Sequence, residues 1–169
     1  MVFNIKKNKK GQEVMGLPFS LIFAIFLIIV FLIVAFIAVN QFLGWGRSTS
    51  VGLFYKELQE EVDKSMSSQS GESEPFKIDL PSKVTHVCFA NLSAKITGPT
   101  EIYESIHNYR VYEANTFLIP PENAEGMAWK QIDHLNITKM TATSNPYCVE
   151  TSQELILKKG FYDRWVIIE

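Results

Sequence analysis

The sequence predicts a membrane-anchored chain: one N-terminal transmembrane α-helix, an amphipathic helix, then a small, mainly antiparallel β-domain. Three observations predict this fold class. From Val14 to Gly46 there are 33 consecutive positions without Asp, Glu, Lys or Arg. Val51, Phe54, Leu58, Val62 and Met66 then recur at spacings of 3, 4, 4 and 4, which places them on one helical face. Beyond residue 75 come six or seven short β-rich runs, punctuated by Pro, Gly and Asn. The overall figures hide this partition. A net charge of −2 and a mean hydropathy of +0.06 average a greasy segment with a polar remainder.

Residues 1–16 form a basic tail or leader containing Lys6, Lys7, Lys9 and Lys10, with only Glu13 opposing them. Residues 17–39 form the span. Leu21 to Val39 contains only Leu, Ile, Val, Phe and Ala. A helix rises about 1.5 Å per residue and the hydrocarbon core is about 30 Å thick, so about 20 such residues suffice. A buried core helix of this length would carry a polar face, and this one has none after Ser20. The middle of the span holds no charged or amide side chain, so nothing there suggests a pore, proton relay or transport site.

The flanks give direction. Lys and Arg resist translocation, which keeps the N-terminus cytoplasmic and sends the C-terminal part outside. Four of the 16 basic and one of the 18 acidic residues precede the span. The rest leaves 12 basic and 17 acidic residues beyond it, a net of −5. Such an acidic region argues against nucleic acid as a partner. The apolar run is also longer than a secretory signal core of about 7–15 residues and lacks a good small-x-small cleavage site, so it reads as an anchor.

Lys9-Lys10-Gly11-Gln12, followed by a long apolar helix, resembles the class III signal of archaeal type IV pilin-like proteins. The resemblance covers about 30 residues. It implies cleavage between Gly11 and Gln12 on the cytoplasmic side, and a helix that first anchors the subunit and then packs in a filament core. The sequence departs from that pattern at Gly16, where the fifth mature position usually carries Glu. Pro18 suits the first turn of a helix, which puts the start of the span close to it. The whole chain also looks like an archaeal single-span membrane protein with a small disulfide-linked β-domain, a likeness that implies no activity.

Residues 40–50 read as a membrane-exit connector. Trp45 and Arg47 suit the headgroup region, and Gly44 and Gly46 suggest a flexible joint. Residues 51–66 are the amphipathic helix, with Ser48 or Ser50 as its cap and Glu60–Lys64 as an i,i+4 pair. Its apolar stripe must be covered. Packing on the chain's own β-domain is the favoured reading over packing on other copies. Residues 67–75 are a Ser-rich polar linker.

Residues 76–169 form the extracytoplasmic β-domain, a sandwich or compact barrel, or an α+β fold if the amphipathic helix packs on the sheet. Phe76, Ile78 and Leu80 alternate. Val84 to Phe89 and Tyr109 to Ile119 are β-rich, Tyr103 to Asn108 suits a short helix or turn, and Lys158-Lys159-Gly160 suits a hairpin turn. Extracytoplasmic thiols tend to pair, so Cys88 and Cys148 are expected to form a disulfide. A zinc site with His86 lacks the usual spacing and ligand number. Asn91-Leu92-Ser93 and Asn136-Ile137-Thr138 are N-glycosylation sequons.

No catalytic motif stands out. His86, His107 and His134 are scattered. Glu57, Glu60, Glu61 and Asp63 read as a solvated helix face, and Glu72 and Glu74 fall in the linker. Tyr103, Tyr109, Tyr112 and Phe117 read as sheet core and girdle. The expectation is therefore a non-enzymatic protein without cofactor, metal or small-molecule substrate. Its partners are the lipid bilayer and either copies of itself or other membrane or surface proteins. A filament subunit is the alternative.

Overall fold

The computed structural model describes residues 16–68 and 73–169, and of these the side chains of all but 16–18, 43 and 45. The basic tail, the Gly11–Gln12 junction and the Trp45 side chain lie outside the described residues. The chain divides into two units, Met1–Leu43 and Gly44–Glu169.

Helix α1 spans Gly16–Ser67 and, among the described residues, is the one helix long and apolar enough to cross a membrane. From Phe19 to Phe42 every described side chain is exposed. The expected joint at residues 40–50 is instead helical. Gly44 and Gly46 each cost about 1 kcal/mol of helix propensity. However, the segment holds no proline, so no residue in it lacks a backbone donor, and helix on both sides removes the cost of nucleation. Ser50 is correspondingly not a cap: its hydroxyl donates to the Gly46 carbonyl one turn back (3.2 Å).

Within Gly44–Glu169, the stripe on α1 is covered by the chain's own β-structure. Val51, Phe54, Leu58 and Val62 are each at most 1% exposed. The seven strands are β1 (Ser73–Lys77), β2 (His86–Phe89), β3 (Thr116–Ile119), β4 (Trp129–Lys130), β5 (Tyr147–Glu150), β6 (Glu154–Lys158) and β7 (Ile167–Ile168). They form two antiparallel sheets, ordered β1-β6-β7 and β4-β3-β2-β5. The α1 stripe shares one core with Phe76, Leu155 and Leu157 of the first sheet and Val87, Phe89 and Leu118 of the second.

The other face of the four-stranded sheet is buried as well. Side chains alternate across a strand. Cys88 and Phe117 therefore point away from the main core and join Ile106 of α2 (Thr100–Ile106) in a second cluster. With helices on both faces of this sheet, the α+β alternative is the one observed.

Three expected boundaries shift. β1 begins inside the expected linker, because Ser73, Glu74 and Pro75 pair with Lys158, Leu157 and Ile156. Residues 109–119 are strand only from Thr116. Before it, His107–Val111 is a 3₁₀ turn continuing α2. Eight residues, Lys159–Val166, join β6 to β7, so Lys158-Lys159-Gly160 is not a tight hairpin turn. Lys159 Nζ instead donates to the Met66 carbonyl at the end of α1.

Candidate functional site

Strand β2 ends, β3 begins and β4 ends at the same edge of the four-stranded sheet. The loops at that edge, residues 90–93, 110–115 and 131–137, enclose with Trp165 an open groove of about 610 Å³. Loops at the end of a fixed sheet are a common place for recognition, because the scaffold holds side chains that need not serve the core.

Two sets of amide contacts hold the 131–137 loop. Asn115 is buried. Its Nδ2 donates to the Ile132 carbonyl (2.8 Å) and its Oδ1 accepts the Ile132 N–H (2.9 Å), so this side chain acts as an extra rung of sheet. From α1, Gln59 Oε1 accepts the Asp133 N–H (2.8 Å), while Gln59 Nε2 donates to Asp63 Oδ1 (2.9 Å). Asp63 Oδ1 also lies 2.9 Å from His134 Nδ1. His134 has φ of 64°, a left-handed conformation that His tolerates better than most residues. Its ring stacks on Trp165 with centroids 5.6 Å apart.

A set of aromatic rings leads to the groove at Tyr112. A chain of them runs from the buried Phe117 through Tyr109 to Trp129, and Trp129 stacks on Tyr112 at 4.4 Å. Tyr112 is half exposed, and it lines the groove while Trp129 does not. The expected core-and-girdle role thus holds for Phe117 and Tyr109, and Tyr112 is where the chain of rings reaches solvent. Tyr103 stands apart from it and stacks on His107.

The Asp63–His134 pair is the arrangement closest to acid–base chemistry. A nucleophilic site also needs a hydroxyl or thiol within hydrogen-bond reach of the imidazole. Among the described residues no such group hydrogen-bonds it, and both side chains are more than two-fifths exposed. His86 Nδ1 meets Thr85 Oγ1, and His107 Nδ1 meets the Glu104 carbonyl, so the three histidines serve separate local contacts. Among the described residues no three His, Cys, Asp or Glu side chains gather as metal ligands.

Cys88 and Cys148 are register partners on β2 and β5, with Cα atoms 4.0 Å apart, and they form a disulfide. The two sequon asparagines are partly exposed. Asn91 Oδ1 accepts the Ser93 N–H (3.0 Å) in a local turn, and Asn136 Oδ1 caps helix α3 (Ile137–Met140) by accepting the Lys139 N–H (3.0 Å). In each, the Nδ2 that a glycan would take makes no hydrogen bond among the described residues.

The acidic helix face is only partly a solvated one. Glu60 lies 3.7 Å from Lys56, not on Lys64, and Lys64 bonds Glu61 and Glu74. Those two bonds raise the Lys64 pKa, and the Lys64 bond lowers that of Glu74. Sequence reasoning named Tyr112 and His134 without placing them at one groove, and it missed Asn115, Gln59 and Asn145 altogether. The only signal it had for these amides was their presence in or beside apolar runs. Compared with protein-family models, curated proteins and solved structures, the chain matches none.

Proposed function

We propose that this chain is a single-pass membrane protein with a cytoplasmic N-terminus, whose extracytoplasmic domain serves recognition or structural interaction rather than catalysis. The observation that carries this reading is the contrast between the two units. Side chains from Phe19 to Phe42 are apolar or uncharged and uncovered, while Gly44–Glu169 has its own core. Water does not tolerate an uncovered surface of that extent, and lipid does. The basic residues before the span set its direction. The disulfide suits an oxidising compartment.

Protease added to sealed cells tests the topology. Digestion of the domain with the N-terminal tail protected is the expected result, and the reverse pattern would sink the orientation. Intact mass of the native protein adds a second readout. A disulfide lowers the mass by about 2 Da, and glycans on Asn91 or Asn136 raise it.

The filament-subunit reading is the alternative, and one observation favours it. Helix α1 runs from Gly16 to Ser67, so the apolar segment that would pack among copies and the stripe in the domain's core belong to one element. A mature mass lacking residues 1–11, together with recovery in sheared, detergent-free filaments, is its expected signature. An intact N-terminus on detergent-solubilised monomers would exclude it.

A further inference from the structure

We infer that the groove at the end of the four-stranded sheet is a binding site for an uncharged saccharide. This names a ligand class for the recognition role proposed above and rests on that reading.

Four side chains at the groove, Arg110, Glu113, Gln131 and Asp133, are exposed. Among the described residues none of their side chains makes a hydrogen bond or ion pair. Together they offer guanidinium and amide donors and carboxylate and amide acceptors. A sugar hydroxyl both donates and accepts, so it can use every one of these groups. A ligand of one polarity could not.

The aromatic wall fits the same chemistry. A pyranose has one face of C–H groups, and an aromatic ring binds such a face through its π surface. Tyr112 is backed on one side by Trp129 at 4.4 Å and half of it remains exposed at the groove. Trp165, which also lines the groove, is stacked on by His134, and the Arg164 guanidinium sits 5.4 Å from its ring centre. The Tyr112 face needs no ordering on binding, and Asn115 and Gln59 already hold the 131–137 loop. That lowers the entropic cost of complex formation.

Charge and size weigh against several other ligand classes. The two groove carboxylates, Glu113 and Asp133, offset the guanidiniums of Arg110 and of Arg164 beside Trp165, so the groove carries no excess of positive charge to favour phosphate, acidic sugars or nucleic acid. The volume lies within the range of small-ligand sites, about 300–1,000 Å³. An apolar ligand would make no use of the four polar groups.

The full-length protein in lipid nanodiscs provides the test, since a maltoside detergent would itself present sugar. Chitotetraose, maltotetraose and cellotetraose are titrated up to about 10 mM, a range suited to weak binding. Tryptophan fluorescence and backbone amide shifts serve as readouts. Saturable binding of at least one oligosaccharide is expected, with amide shifts confined to residues 90–93, 110–115 and 131–137. Tyr112→Ala should weaken it by about tenfold through loss of the stacking face, and Gln131→Ala should weaken it while leaving the urea midpoint unchanged.

No saturable response to any of the three sugars, from protein whose disulfide and urea midpoint are intact, would overturn the inference. So would binding that survives Tyr112→Ala and Gln131→Ala, or a groove that takes only a polypeptide. The topology experiment is independent: sugar binding by a domain found to be cytoplasmic would overturn the anchoring reading and leave the ligand class standing.

Discussion

Two buried asparagines do work that backbone pairing does elsewhere in the domain. Asn115 joins Ile132 to the start of β3, and Asn145 joins the segment after β2 to the segment before β5. Asn145 is 2% exposed. Its Oδ1 accepts the Asn91 N–H (3.1 Å), and its Nδ2 donates to the carbonyls of Asn91 (2.9 Å) and Lys95 (3.2 Å). Gly98 lies against this junction: a Cβ there would approach the Pro146 carbonyl oxygen to 2.5 Å. Asn145→Ala would leave the Asn91 N–H and the Lys95 carbonyl without these partners, while the Asn91 carbonyl keeps the Ala94 N–H, and the expected loss is about 1–3 kcal/mol of stability. Urea unfolding measures it, and an unchanged midpoint would show that water replaces the amide.

Tyr55 gives a residue-scale prediction in pH. Its hydroxyl donates to the Met127 carbonyl (3.1 Å), and burial pushes its pKa well above the ordinary value of 10.0, with Tyr109 adding to the rise. Burial also raises Tyr147, with Glu169 contributing. In the unfolded chain both phenols lose their protons near pH 10, whereas in the folded chain they keep them longer. The stability they confer is thus fully present below that pH and falls as pH rises above it. Thermal melts between pH 8 and 11 should show the decline, and Tyr55→Phe should flatten it. A decline of equal slope in the variant would assign the effect to other groups.

At the scale of elements, β2 is the organising strand. It pairs with β3 on one side and β5 on the other, sends Val87 and Phe89 to the α1 core and Cys88 to the α2 cluster, and carries the disulfide. The bridge closes 60 residues of chain, which in the chain-entropy account contributes about 4 kcal/mol. Replacing both cysteines with alanine should lower stability by roughly that amount, a large share of the net stability of a domain this size. Urea titration of wild type and variant checks it, and a loss below about 1 kcal/mol would mean that the cross-link scarcely restricts the unfolded chain.

Helix α1 shows how far its sequence could be read. The stripe from Val51 to Val62 was legible because 3.6-residue periodicity is a local property. The run of helix through Gly44 and Gly46 was not, because glycine lowers helix propensity without forbidding helix, and the turns on either side decide the outcome. Pro75 misled in the same way. It reads as linker, but proline is tolerated in an edge strand, and β1 lies at an edge of its sheet.

At the scale of the whole molecule, the main core lies entirely within Gly44–Glu169, and α1 residues from Val51 onward are part of it. A fragment of residues 44–169 should therefore fold, remain soluble without detergent, and unfold at the same urea concentration as the full chain. The full chain should require detergent or lipid. An unfolded or aggregated fragment would show that the segment before residue 44 contributes to the domain's stability.

What the sequence by itself determined is what local chemistry dictates: an apolar run long enough to span a bilayer, the stripe at residues 51–66, the β-rich composition beyond it, and the pairing of its two cysteines. The first three do not depend on which distant residues meet; the cysteine pairing follows from there being only two thiols and an oxidising compartment, and strand register brings them together. The tertiary structure alone decided that the stripe is covered by the chain's own sheets, that the four-stranded sheet is buried on both faces, and that Tyr112, Gln131, Asp133 and Trp165 share one groove. Those residues are separated by up to 53 positions. A groove made from loop residues has no period and no motif, because its members are brought together by strand register and buried amides rather than by spacing along the chain.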